Sequence, residues 1–165
     1  MKPSIKWALM GSMASLLWLV IEYVVGLHDQ YIDYYPIATN FSFIVPIYTY
    51  MRTVEDAKLL HSNLDFKKAF TQCLFGVIVY TLLAPVVMFV FLKYVNPEFF
   101  PHFIQHATAN ADKMGFTKER AYQSAMHIYN FPFYMLQNIL IVFCSGLIIG
   151  AIVSYVQTKK QGGKA

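Results

Sequence analysis

Charge is what this chain has least of. Only 13% of its 165 residues are Asp, Glu, Lys or Arg, about half of the ~25% usual in a soluble domain. Hydrophobic residues make up 57%, and the mean hydropathy is +0.44. That balance excludes an ordinary water-soluble domain and points to an integral membrane protein. Cysteine is scarce too, with Cys73 and Cys144 isolated in apolar runs. On straight helices their depths would differ by roughly 13 Å, beyond the reach of a disulfide, so both read as small apolar side chains. A glycine-rich phosphate loop, a GxSxG elbow and a CxxC pair are all missing, which removes the common signatures of nucleotide, hydrolase and thiol-redox chemistry. The net charge of +4 is small and scattered, so nucleic acid is not expected as a partner.

Long uncharged runs are what the chain does have. Phe70 to Leu92 carries no charge between Lys67-Lys68 and Lys93. At about 1.5 Å per helical residue it is long enough for a hydrocarbon core of about 30 Å. Trp7 to Leu27, preceded by Lys2 and Lys6, also resembles a signal peptide. It exceeds the ~7–15-residue core of such a peptide and carries Glu22, so it is read as a retained anchor. The run at 34–51 is the weakest, interrupted by Pro36, Thr39, Asn40, Ser42 and Pro46, and 131–156 is the last.

Basic residues decide the doubtful second run. With four spans and a cytoplasmic N-terminus, nine Lys and Arg lie inside (Lys2, Lys6, Arg52, Lys58, Lys67, Lys68, Lys159, Lys160, Lys164) and four outside (Lys93, Lys113, Lys118, Arg120). With three spans the split becomes six against seven. The excess of positive charge belongs in the cytoplasm, so four spans are expected at about 7–27, 34–51, 70–92 and 131–156, with both termini inside. Trp7, Tyr48, Tyr50 and Tyr155 should mark the inner interface, and Tyr34, Tyr35, Tyr94, Tyr129 and Tyr134 the outer one.

Between the last two runs, 95–130 should form an extracytoplasmic helical hairpin or bent helix lying on the membrane surface. Phe100, Phe103, Ile104, Ala107, Ala111 and Met114 recur at helical spacing, opposite His102, Gln105, Asn110, Asp112 and Lys113. Gly115 suits a helix end and Thr117 a new N-cap. Pro97 and Pro132 suit helix starts.

Leu64-Asp65-Phe66, Ala69-Phe70, Asn96-Pro97-Glu98-Phe99, Gly115, Pro132 and the Gly146, Gly150 spacing before Lys159-Lys160 give the chain a family likeness. In their order and spacing it resembles the bacterial domain-of-unknown-function family 4199, with Asn63-Leu64 standing where that family has Gly-Gly. The resemblance implies a small four-helix protein of the bacterial inner membrane, and no activity.

Three constellations remain. Glu22, Asn40, Pro85, Gln137 and Asn138 all fall roughly 7 to 10 Å below the outer surface. A carboxylate at that depth needs partners, so Glu22 is expected to face water or the amides of Asn40, Gln137 and Asn138, either as interhelical glue or as a proton or solute site. Gly146, Gly150 and Ser154 on the last run, and Gly11 and Ser15 on the first, form stripes of small residues that should pack closely, with each other or across a homo-oligomer. His102 and His106 have the spacing of a zinc pair but no evident third ligand except His127 or Asp112, so no metal is expected.

The expectation is an all-α, four-span protein in one domain, 1–165, without cofactor or enzymatic activity. Its partners are the lipid bilayer and another envelope protein or a second copy, and the alternative role is a small transporter or channel subunit built on Glu22. Cysteine labelling checks the topology. A cysteine at Leu60 should be shielded from outside reagents and one at Asp112 labelled, whereas outside labelling at Leu60 would remove the second span.

Overall fold

The computed structural model describes residues 1–60 and 64–162; Asn63, part of the departure noted above, and Lys164 lie outside them. Among the described residues all regular structure is helical. Three of the described helices are long and apolar enough to cross a membrane: Pro3–Val24, Phe66–Val95 and Phe131–Lys159. The first is α1. Phe66–Val90 is α4, continued by a π turn over Phe91–Val95, and Phe131–Gly162 is α7.

The second expected span is not a fourth helix of this kind. Residues 34–51 are divided among a 3-10 turn at Ile32–Tyr34, α2 at Tyr35–Ala38, a second 3-10 stretch at Thr39–Phe43, and α3 at Ile44–Leu60. Local chemistry explains the break. Pro36 and Pro46 supply no backbone donor, and Asn40 turns its side-chain amide to the Pro36 carbonyl at 2.5 Å, competing with the helical ladder. The long helix that does form, α3, carries Arg52, Glu55, Asp56 and Lys58 in its second half.

α4 is the central element, packed against α7, α1 and α3. Its start is set by Asp65, whose carboxylate caps the helix by accepting from the Lys68 amide at 2.8 Å. Ala69, Cys73 and Val77 face inward and meet Tyr50, Val54 and Ala57 of α3 and Val153 of α7. Tyr50, expected among the interfacial rings, is therefore fully buried in the core.

The small-residue stripes pack, but not with each other. A Cβ on Gly146 would sit 2.9 Å from the Tyr50 hydroxyl and 3.1 Å from Val77, and one on Gly150 would sit 3.1 Å from Cys73. On α1, a Cβ on Gly11 would fall 2.5 Å from Thr49 Oγ1, while the Ser15 hydroxyl bonds to that of Tyr80. Each stripe accepts a large side chain from α3 or α4. Ser154 Oγ, next along the stripe, donates to the Gly150 carbonyl at 2.6 Å and lies 3.4 Å from the sulfur of Cys73.

Polar ties close the bundle at the amino end of α1. Asp56 accepts from Trp7 Nε1 at 2.8 Å and Lys6 Nζ at 3.0 Å, and these bonds hold its carboxyl below the usual value. Lys58 donates to the Gln157 carbonyl at 2.9 Å, and Gln157 Nε2 returns a bond to the Met51 carbonyl at 3.1 Å.

The 95–130 segment is the expected hairpin, built from α5 (Phe99–Ala109) and α6 (Lys118–Ile128). Gly115, at φ +75°, ends the intervening turn, and Thr117 Oγ1 caps α6 by accepting from the Arg120 amide. Part of its apolar face is covered by protein. Phe99 and Phe103 are buried in a cluster with Ile32, Met88, Phe91, Leu92 and Met135, so α5 closes the end of the bundle opposite Asp56. Pro132 sits in the first turn of α7 as expected.

Gly146→Leu tests this packing. It should lower stability by about 1–3 kcal/mol, the usual effect of overpacking, read as a reduced midpoint of thermal unfolding in detergent. Ile148→Leu on the exposed face should change little.

Candidate functional site

The chain turns sharply after α1. Gly26 adopts φ +82°, a conformation side chains disfavour, and the turn is fastened by Leu27 N to the Glu22 carbonyl and Tyr31 N to the Gly26 carbonyl, both at 2.9 Å. This fold-back carries His28 beneath Glu22. His28 Nε2 lies 3.5 Å from Glu22 Oε2, and each residue is only 1% exposed. The separation suits an ion pair and is long for a hydrogen bond, and those two atoms have no other partner among the described residues.

Both residues are held from other directions. Trp18, one turn earlier on α1, donates its indole N–H to Glu22 Oε1 at 2.7 Å. His28 Nδ1 faces the Asn96 amide at 3.4 Å, where the π turn ending α4 delivers that buried side chain. The imidazole is boxed by aromatic rings, with centroids of Tyr35, Phe91 and Phe99 at 5.2, 5.4 and 5.1 Å. His102 Nδ1 on α5 contacts the His28 carbonyl at 3.2 Å. One residue thus joins α1, the Tyr35 segment, the end of α4 and the hairpin.

The expected partners of Glu22 are elsewhere. Asn40 is exposed and bonded to Pro36, Gln137 is half buried on α7, and Asn138 is half buried with its Oδ1 unpartnered. Depth alone brought these residues together on paper; rotation about each helix axis separates them from Glu22. Asn40 and Asn138 instead line a cavity of about 370 Å³ within the bundle, with Ser15, Trp18, Tyr50 and Tyr80 among its other walls. Pro85 is accommodated inside an unbroken α4.

His102 and His106 do not converge. His102 serves the His28 carbonyl, while His106 Nε2 pairs with Asp33 Oδ1 at 2.8 Å. Among the described residues no three His, Cys, Asp or Glu side chains gather as a metal site. His28 and Asp33 were missed by sequence reasoning. The one signal for His28 was its place directly after a glycine turn between two apolar runs.

Residues 6–159 match the model of a family described as Protein of unknown function (DUF4199). The chain belongs to that family. No curated protein and no solved structure matches it. The matched region of this DUF4199 chain contains the Glu22, His28 pair, the cavity and the hairpin.

His28→Ala removes a buried ring and leaves a buried carboxylate without its counterpart. The loss should be about 3–5 kcal/mol and should fall on the docking of α5 and α6. Hydrogen exchange should accelerate over 99–128 while the middle of α4 stays protected. Uniform acceleration along the chain would show that His28 does not fasten the hairpin in particular.

Proposed function

We propose that the protein is a non-catalytic component of the bacterial cytoplasmic membrane, crossing it four times as a single domain with both termini inside. Its outer hairpin binds another envelope protein or a second copy. The observation carrying this reading is the attachment of the hairpin: α5 is fixed to the bundle through His28, Phe99 and Phe103. Phe116 and, on α6, Tyr122, Met126 and Ile128 are left exposed.

Four crossings are supported by the course of the second segment. Tyr35 packs on Phe99 and Phe103 at one end of the bundle, and Asp56 bonds Lys6 at the other, so residues 35–56 run the length of α1 in reverse. Broken helices are tolerated at membrane depth where neighbouring helices shelter the backbone. The excess of Lys and Arg at the Asp56 end favours that end as cytoplasmic.

A second reading, a small transporter or channel subunit, is favoured by Trp18. Its ring lines the cavity while its N–H holds Glu22, placing a carboxylate one side chain away from an internal space.

Glu22→Gln separates the two. The amide oxygen still accepts from Trp18, so an accessory protein should keep its stability and its co-purifying partner. Glu22→Leu should destabilise by about 3–5 kcal/mol, because it leaves the Trp18 N–H and His28 buried without their shared partner. In a transporter, wild-type vesicles should carry a proton or ion flux that Glu22→Gln abolishes at unchanged thermal stability, and that result would displace the accessory reading.

A further inference from the structure

The cavity has features that neither the Glu22, His28 pair nor the hairpin requires. It lies between α1, the 39–46 segment, α4 and α7, and its volume of about 370 Å³ falls within the range of small-molecule sites. Among the described residues no Asp, Glu, Lys, Arg or His lines it, yet hydroxyl, phenol and amide groups do. An occupant is therefore uncharged and hydrogen-bonding.

Two wall groups are left without partners. Tyr50 is 0% exposed, and its hydroxyl has no hydrogen-bond partner among the described residues. Asn138 Oδ1 is likewise unpartnered. Within a bilayer no solvent is at hand to satisfy such groups, and both belong to residues that line the cavity. The Tyr50 hydroxyl lies beside Gly146. Asn138 is two helical turns away on α7, about 12 Å along the axis. The wall runs along α7 from Tyr134 to Ser145, about 16 Å, so the occupant is elongated.

The position of the mouth points to the source. The exposed wall residues are Asn40 and Ile141. Ile141, 59% exposed, is about 15 Å along α7 from Phe131, flanked by exposed Leu140 and Ile148. The opening therefore sits on the flank of the apolar helices, at the depth of lipid chains rather than at either end of the bundle.

We propose that this cavity binds an elongated, neutral, membrane-soluble molecule bearing a hydroxyl or carbonyl oxygen, admitted sideways from the lipid between the 39–46 segment and α7. The proposal rests on the membrane placement of the apolar helices and is independent of what the hairpin binds.

The test uses the full chain in lipid nanodiscs. Trp18 lines the cavity, and the only other tryptophan is Trp7, so Trp7→Phe leaves Trp18 as the sole indole fluorophore. Bromine quenches indole fluorescence on contact, and the probes are 12-bromododecanol, 1-bromododecane and 12-bromododecanoic acid. The alcohol should quench saturably and at least tenfold more tightly than the hydrocarbon or the acid. The double variant Tyr50→Phe, Asn138→Leu should weaken that binding by about tenfold, the order expected for a lost hydrogen bond, and Ala84→Phe, which fills the cavity, should abolish it. Equal, non-saturating quenching by all three probes would mean partition into lipid only and overturn the proposal. So would saturable quenching unchanged in Ala84→Phe at a native thermal midpoint. If Trp7→Phe unfolds, the wild type serves instead, with Trp18→Phe expected to erase the saturable phase.

Discussion

Away from water, a polar group is tolerable only if the protein itself supplies its partner, and much of this molecule follows from that constraint. Glu22 is held by Trp18 and His28, and the Ser15 hydroxyl by that of Tyr80. Ser12, Thr53, Ser145 and Thr158 return their hydroxyls to carbonyls one turn back in their own helices. These local bonds satisfy the side chain wherever the helix faces. The longer ones decide how the helices are rotated, because each is made only in one arrangement.

Close packing is the second consequence. With no large hydrophobic gain from leaving lipid, helices associate through contact, and contact improves where side chains are small. Gly146 and Gly150 let Tyr50, Val77 and Cys73 reach the backbone of α7, and Gly11 does the same for Thr49 and Tyr80. α4 gains most from this and becomes the centre of the bundle. Small residues on α1 and α7 meet large ones on α3 and α4, so bulk and space alternate across the interfaces.

Much was legible in the residues, and the failures have physical causes. Phe70 to Leu92 reads as a membrane helix because length and apolarity are properties of a run, independent of neighbours. Gly115 and Thr117 read as a helix end and start because positive φ and capping are local chemistry. The break in residues 34–51 was not legible from charge counting, which asks which side each loop occupies, whereas helix continuity depends on Pro36, Asn40 and Pro46. Phe103 was assigned to the membrane surface since its stripe is amphipathic, and periodicity does not say whether lipid or protein covers the apolar face.

Composition, run lengths and the order of caps and turns were determined by the sequence alone: an all-helical chain, apolar enough to be embedded in a membrane, with a hairpin before its last helix. Tertiary structure alone decided which side chains meet. Glu22 and His28 became a pair because the Gly26 turn folds the chain back, while Asn40 and Asn138 came to wall a cavity instead of solvating the carboxylate. Depth along a helix follows from residue number at a constant rise, but the direction a side chain faces advances by about 100° per residue. Its partner is therefore set by how the helices rotate against one another, and that rotation is a property of the whole packed bundle.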